Sequence, residues 1–371
     1  MENNLEKRKE NRIIYFDHLR VLATFAVVVL HVASVNWYSS DVNGTDWQMF
    51  NFYDSIVRWG VPIFLMISGA LFLRRDIAIS RIYKKYVLRI GVAFIAWSFI
   101  YYLLSFGIPS PKNIAEQFLG LFKDGKTQRI VSIIGGQYHL WFLPMIVGIY
   151  LCLPIIKKIV EDKRIEKYFL ILSFIFGFLI PQVVNLTNDF ATDNIKAVVN
   201  AINGEIGLMD MRMVLGYAFY FILGYYLSVT DFNKKTRAII YALGLFGFAF
   251  TIIADSAISI KAQTPTATYY GNFCVNILFE AVAVFTLYKN LSFKNERFNR
   301  LIKVMSKWSF GAYLVHVLFI DKLNTVFAIN TLSLPVPSYI AVIIISLTVF
   351  VLSFLVSAIL NCIPVIREYI V

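Results

Sequence analysis

The chain has 371 residues, of which 58% are hydrophobic and only 16% charged, and its mean hydropathy is +0.66. Ordinary soluble proteins carry about 25% charged residues, so a soluble class is excluded, as are disordered, collagen-like and coiled-coil classes. The net charge of +12 lies in short clusters between apolar runs rather than on one polar surface, which argues against nucleic acid as a partner.

A membrane-spanning helix needs about 20 largely apolar residues. Ten candidate spans follow in chain order, at about 14–36, 52–73, 86–106, 139–156, 168–184, 213–230, 237–254, 270–288, 302–320 and 337–362. The fourth and fifth are short and bracketed by Pro144, Pro154 and Pro181, which predicts kinked or tilted helices. The first run follows Lys7, Arg8, Lys9 and Arg12 and imitates a signal peptide. It is longer than 20 residues, carries Asp17, Arg20 and His31 and lacks a small-x-small cleavage site, so it reads as an uncleaved helix.

Ten spans place 25 of the 35 lysines and arginines on one side and 9 on the other, with Arg20 inside the membrane. By the positive-inside rule the richer side is cytoplasmic. The expected fold class is therefore all-α: a polytopic protein of the bacterial cytoplasmic membrane with about ten transmembrane helices and both termini cytoplasmic. Residues 1–13 form an N-terminal cytoplasmic segment and 14–371 a single transmembrane domain. The longest loops, about 107–138 and 185–212, fall outside the cell.

Ionisable residues inside spanning helices are costly and mark functional sites. On the first helix, at 100° per residue with Arg20 at zero, Asp17 falls at about +60°, Thr24 at +40° and His31 at +20°. They form one polar stripe. His31 lies eleven residues beyond Arg20, about 16 Å farther along the axis. A purely structural reading, with Asp17 and Arg20 neutralising each other and His31 bonding a carbonyl, explains each residue singly but not all four on one arc. His139 and His316 come to a similar depth in the topology, and histidine suits general acid–base work. The three rings have no local ligand spacing, and Cys152, Cys274 and Cys362 form no CxxC pair, so neither a metal nor a disulfide framework is expected. Arg89 lies within an apolar stretch, where a guanidinium needs an anionic partner such as a phosphate. Arg74, Arg75 and Arg81 read as ordinary inner-loop charge.

Four stretches resemble the acyltransferase-3 family of membrane acyltransferases: RIIYFDHLRVLATFAVVVLH from Arg12, RWGVPIFLMISGALFL from Arg58, YHLWFLPMIVGIYLCLP from Tyr138, and SFGAYLVH ending at His316. They occur in order along nearly the whole chain and look closest to the stand-alone enterobacterial common antigen O-acetyltransferase type. The resemblance implies transfer of an acetyl or related acyl group from acyl-CoA, a co-substrate and not a bound cofactor, to a hydroxyl of a cell-surface glycan or its lipid-linked precursor. His31 matches the family's helix-1 histidine, Arg20 its helix-1 arginine, and Arg58 the arginine before the VP-FLMISG stretch, which also contains Ser68. Where the family shows Arg-x-x-Arg entering helix 3, this chain has Tyr86 in place of the first arginine, with Lys85 beside it, and Arg89 as the second.

Together these readings give one expected mechanism. CoA phosphates sit at the cytoplasmic mouth near Arg20, Lys85 and Arg89, and the pantetheine arm reaches toward His31, the base, with Asp17 as a second catalytic candidate. Arg58, Ser68, Tyr138, His139, Trp141 and His316 serve the acceptor or support the site, in membrane lipid. Glu280 is expected to pair with a histidine or arginine of the stripe, or to be protonated and structural. The competing reading is a secondary transporter or flippase for a lipid-linked sugar or small anion, against which stands the absence of an inverted repeat. A purely structural subunit of a polysaccharide-export complex would not require the helix-1 stripe.

The topology is open to direct test. Cysteines placed at Asn43 and Thr127 are expected to label with an impermeant thiol reagent in intact cells, and protection of both sites overturns the ten-span arrangement.

Overall fold

A backbone inside a bilayer has no water to bond and satisfies its amides within helices. The computed structural model describes residues 13–105, 110–123 and 125–371, and these are helical without a strand. The expected N-terminal segment, with Lys7, Arg8, Lys9 and Arg12, lies outside the described residues except for Ile13. The helices are α1 (Ile14–Ser34), α2 (Thr45–Ser55), α3 (Gly60–Phe72), α4 (Leu88–Leu104), α5 (Pro111–Gly120), α6 (Lys126–Gly135), α7 (Phe142–Leu151), α8 (Leu153–Glu161) and α9 (Lys163–Phe174). There follow α10 (Ile180–Phe190), α11 (Asp193–Gly207), α12 (Ala218–Val229), α13 (Lys234–Ala262), α14 (Val275–Asn290), α15 (Glu296–Thr325), α16 (Ser338–Asn361) and α17 (Pro364–Tyr369). The π-helical stretches Ile82–Val87 and Ile175–Leu179 lead into α4 and α10, and a 3₁₀ turn, Tyr138–Trp141, leads into α7.

The protein is an all-α, multi-pass membrane protein. Among the described residues seven stretches are long and apolar enough to cross a membrane, or eight if α6 and Tyr138–Leu151, bent by 59°, form one span. The difference from ten has local causes. The expected sixth span contracts to the twelve-residue α12. The expected ninth lies within α15, which carries Lys303, Lys307, His316, Asp321 and Lys322 and is outside the seven. The second span begins at Thr45 rather than 52, because the polar α2 buries Trp47, Phe50, Asn51 and Asp54. The expected long loops hold α5, α6 and α11, whose amphipathic patterns are too short for a spanning-helix window.

The prolines act where the sequence places them. Pro62 sits in the first turn of α3, Pro144 in that of α7, Pro154 in that of α8 and Pro181 in that of α10, positions where a missing N–H costs nothing. Pro154 opens α8 directly after α7, whereas Pro181 lies inside Lys163–Phe190, which runs on as one span through its π-helical stretch.

α1 is the hub. It packs against α2, α3, α15 and α16 and touches α14, and Leu19, Ala23 and Ala33 on it are fully buried. α16 shows membrane packing plainly: Ser346, Ser353 and Ser357 are buried while Leu347, Val351, Leu355 and Ile359 are exposed. The serines lie on the packed face, beside Val342, Ile345 and Val349, and the outer face is aliphatic, since lipid is as apolar as leucine and only close packing favours helix association. The tightest crossing joins α3 to α12. A Cβ on Gly69 would run into the backbone carbonyl of Phe221, and one on Gly224 into that of Met66.

This crossing generates a stability prediction. Gly69→Ala is expected to lower the melting temperature of the detergent-solubilised protein, on the order of 1–3 kcal/mol of overpacking. Gly91→Ala on α4, where a Cβ meets nothing within 4 Å, is expected to leave it unchanged or raise it, because alanine is the better helix former. Equal effects at both sites would refute the close crossing.

Candidate active site

α1 and α15 bring two histidines together from 285 positions apart in the chain. His31 Nδ1 lies 2.7 Å from His316 Nε2, and His316 Nδ1 lies 2.6 Å from the Tyr313 carbonyl. A carbonyl oxygen only accepts, so His316 Nδ1 carries the proton. With a neutral His316 its Nε2 is then an acceptor, and His31 Nδ1 donates to it. This order of donors leaves the lone pair of His31 on Nε2, where no protein group among the described residues bonds it.

The α15 segment that carries His316 is pinned from outside. The Tyr101 hydroxyl donates to the Leu314 carbonyl (2.9 Å) and accepts from the Leu318 amide (3.1 Å). Tyr313 donates its hydroxyl to the His139 carbonyl. His139, buried in the 3₁₀ turn before α7, has its ring centroid 5.2 Å from that of His316 and 6.4 Å from that of His31, and its Nδ1 has no partner. Tyr138 is largely exposed and stands edge-on to His31 at 5.4 Å.

Of these residues His31, His139 and Tyr313 line a cavity of about 610 Å³, with His316 behind His31. Its walls include Arg20, Val27, Leu30 and His31 of α1, Arg58, Phe64, Ser68, His139, Trp141, Tyr150 and Tyr313, together with Tyr217, Tyr270 and Asn272. A second cavity of about 530 Å³ shares Arg20, Ser309 and Phe310 with the first and adds Arg89, Ser306, Lys307, Asn361 and Arg367. Its lining includes four cationic side chains and, among the described residues, no Asp or Glu side chain. Arg20 donates to Ser306 Oγ (3.1 Å), and Arg89 donates to the main-chain oxygen of Val371 (2.6 Å) while its Nε stays unpartnered.

The α1 stripe divides. Val27 and Leu30, at about −20° and −80° on the same wheel, line the cavity with Arg20 and His31, whereas Thr24 turns back to bond the Arg20 carbonyl (2.8 Å). Asp17 is buried but lines neither cavity, and fourteen residues, about 21 Å along the axis, separate it from His31. It belongs to the Arg20 end. Lys85 is exposed on the π-helical turn and lines neither cavity. Glu280 is fully buried away from the cavities. Instead of a stripe residue it bonds Thr251 of α13 (2.8 Å), which in turn accepts from Asn276 (2.8 Å). Ser68 donates to the Phe64 carbonyl (2.8 Å).

Arg58 occupies the break between α2 and α3. It forms an ion pair with Asp54 one turn earlier, and its guanidinium lies 4.0 Å over the Tyr270 ring. Trp141 stands 5.6 Å from Tyr217, whose hydroxyl accepts from Asn272 Nδ2 (3.2 Å). Among the described residues no group of three His, Cys, Asp or Glu side chains is placed to hold a metal ion.

Sequence reasoning missed Asp54, Tyr217, Tyr270, Asn272, Lys307 and Arg367. A signal existed for part of the α15 wall, because Ser309, Tyr313 and His316 fall at i, i+4 and i+7 on one face. Tyr270 and Asn272 carry no local pattern.

The model of the acyltransferase domain family matches residues 13–361. The chain is similar to proteins described as "Probable poly-beta-1,6-N-acetyl-D-glucosamine export protein" from Staphylococcus aureus. It is 22% identical to that of strain MRSA252 and 21% identical to that of strain MSSA476, each over 330 residues covering 85% of both chains. No solved structure matches it. The chain belongs to the acyltransferase-3 family.

Proposed function

From membership of this family we propose that the protein is a membrane-bound O-acyltransferase that moves an acetyl or related acyl group from acyl-CoA to a hydroxyl of a cell-surface glycan or its lipid-linked precursor. The observation that carries the reading is the unpartnered lone pair of His31 Nε2 on a cavity that shares Arg20 with a second one lined by four cations. A thioester is already activated, so the reaction needs chiefly a base for the incoming hydroxyl and donors for the developing oxyanion. His31 is that base, and His316, held by the Tyr313 carbonyl, keeps it in the right tautomer.

In this reading the cation-lined cavity is the cytoplasmic donor mouth, in a ten-span topology with both termini inside. Arg20 and Arg89 hold CoA phosphates, joined by Lys307 and Arg367, while Asp17 supports Arg20 and Lys85 adds charge at the rim. The pantetheine arm passes Arg20 toward His31 along the shared wall of Ser309 and Phe310. At the other end Trp141, with Tyr138 and His139, receives the sugar through its aromatic face, while Ser68, on the wall next to Tyr150 and Arg20, supports the site. Glu280 supports the α13–α14 contact. The similar proteins' names point to a β-1,6-linked N-acetylglucosamine chain as the first acceptor to try.

A second reading has one specific support. Those names describe export, and two cavities sharing a wall are also what a conduit requires. The readings part on the donor: acetyl-CoA is expected to raise the melting temperature of the solubilised acyltransferase, as any ligand of the native state does, and to leave an exporter unaffected.

Three measurements test the enzyme reading. Mass analysis of surface glycans is expected to show an acyl-sized mass lost when the gene is deleted. His31→Gln is expected to reduce transfer by about 10²- to 10⁴-fold, the usual worth of a general base, in a folded protein that still binds acetyl-CoA; substantial activity would remove His31 from the chemistry. Arg89→Ala is expected to raise the KM for acetyl-CoA more than it alters acceptor dependence, because a phosphate contact is mostly ground-state binding. No change in either parameter would displace the donor mouth.

A further inference from the structure

Arg58 is the cavity cation that lies apart from the phosphate mouth, and its surroundings are unusual for a group meant to hold a permanent anion. Asp54, buried and one helical turn earlier, already balances its charge. Tyr270 covers one face of the guanidinium at 4.0 Å. What remains is the edge of the fork, and there Nε is buried with no hydrogen-bond partner. A buried, charged donor left unmet costs free energy unless something supplies an oxygen. Arg58 and His31 line the same cavity, and the part of the Arg58 side chain that stays accessible shares that space with the base.

Resting on the acyl-transfer reading, we propose that Arg58 is the oxyanion donor of the reaction, with Asp54 and Tyr270 as its positioning residues. As His31 Nε2 takes the hydroxyl proton, the sugar oxygen bonds to the thioester carbonyl carbon and the C=O electron pair moves onto oxygen, facing Arg58. Collapse restores C=O and breaks the C–S bond. The CoA thiolate then takes the proton from the His31 imidazolium, so ester and free thiol leave with charge and protons balanced. The Asp54 pair suits this role: a neutralised guanidinium gives little to a stable dianion but still directs N–H donors at charge that exists only during the reaction. Preorganised donors of this kind act in the transition state and therefore raise kcat rather than lower KM.

The test follows release of free CoA thiol from acetyl-CoA by the purified full-length protein, with a β-1,6-linked N-acetylglucosamine oligomer as acceptor and with water alone, since both attacks pass through the same oxyanion. Arg58→Ala is expected to lower kcat by about 10²- to 10³-fold, as for other oxyanion-hole donors, with KM for acetyl-CoA and acetyl-CoA-dependent thermal stabilisation retained. Low-millimolar guanidinium is expected to restore part of that loss in Arg58→Ala and none in His31→Gln. Asp54→Asn and Tyr270→Leu are expected to lower kcat by smaller factors, without rescue. Arg58→Lys keeps the charge and bulk if the alanine variant folds poorly, and is expected to remain well below wild type because its ammonium lacks the fork. An Arg58 variant whose acceptor KM rises while kcat holds, or guanidinium without effect on a folded Arg58→Ala, overturns the assignment and leaves acyl transfer standing. A wild-type protein that neither releases thiol nor is stabilised by acetyl-CoA overturns acyl transfer itself, and this assignment with it.

Discussion

One hydrogen bond organises the interior: His31 Nδ1 to His316 Nε2 at 2.7 Å. In a bilayer an unmet polar group has no water to turn to, which favours imidazoles that bond one another within the protein. The pair solves this by chaining donors. The Tyr313 carbonyl takes the proton of His316, His316 takes that of His31, and the remaining lone pair faces open space. The hub helix α1 and α15 are thereby held in one rotational setting, and Tyr101 and His139 hold α15 at the same level from the opposite side.

Around that bond the cavity space divides into two chemical environments. One end gathers guanidinium and ammonium groups with serine and asparagine; the other gathers Trp141, Tyr217 and Tyr270 with Asn272 and a charge-balanced Arg58. Arg20 belongs to both. This polarity suits a long ligand with one highly anionic end and a reactive, nearly neutral one, meeting a second substrate of amphipathic, sugar-like character.

The room for such a site comes from irregular helices. A bundle of straight spans packs to native density and leaves little space. Here α2 and α3 break at Arg58, and α6 and α7 meet at a 59° bend that carries His139. The α3–α12 crossing, which admits no side chain at Gly69 or Gly224, draws other parts of the bundle tightly together. Close packing at one crossing and broken helices at another therefore belong to the same architecture.

The sequence by itself determined that the protein is all-helical and lies in a membrane, because hydropathy is a local, additive property of consecutive residues. It also indicated that Arg20 and His31 share a face, since helical periodicity relates residues within one element. The prolines did not mark the bends: the 59° bend falls between Gly135 and Tyr138, ahead of Pro144, and Lys163–Phe190 runs as one span through Pro181. What only the tertiary structure decided was partnership. His316 next to His31, Lys307 and Arg367 beside Arg89, and Tyr270 over Arg58 each join residues from distant helices, and nothing in either local sequence encodes the rotation and depth at which two helices meet. For the same reason Glu280 found Thr251 instead of the helix-1 stripe, and Asp17, on the right helix and nearly the right arc, came to lie about 21 Å from His31 along the axis: a wheel gives direction around a helix, while contact also requires the neighbour that packing alone supplies.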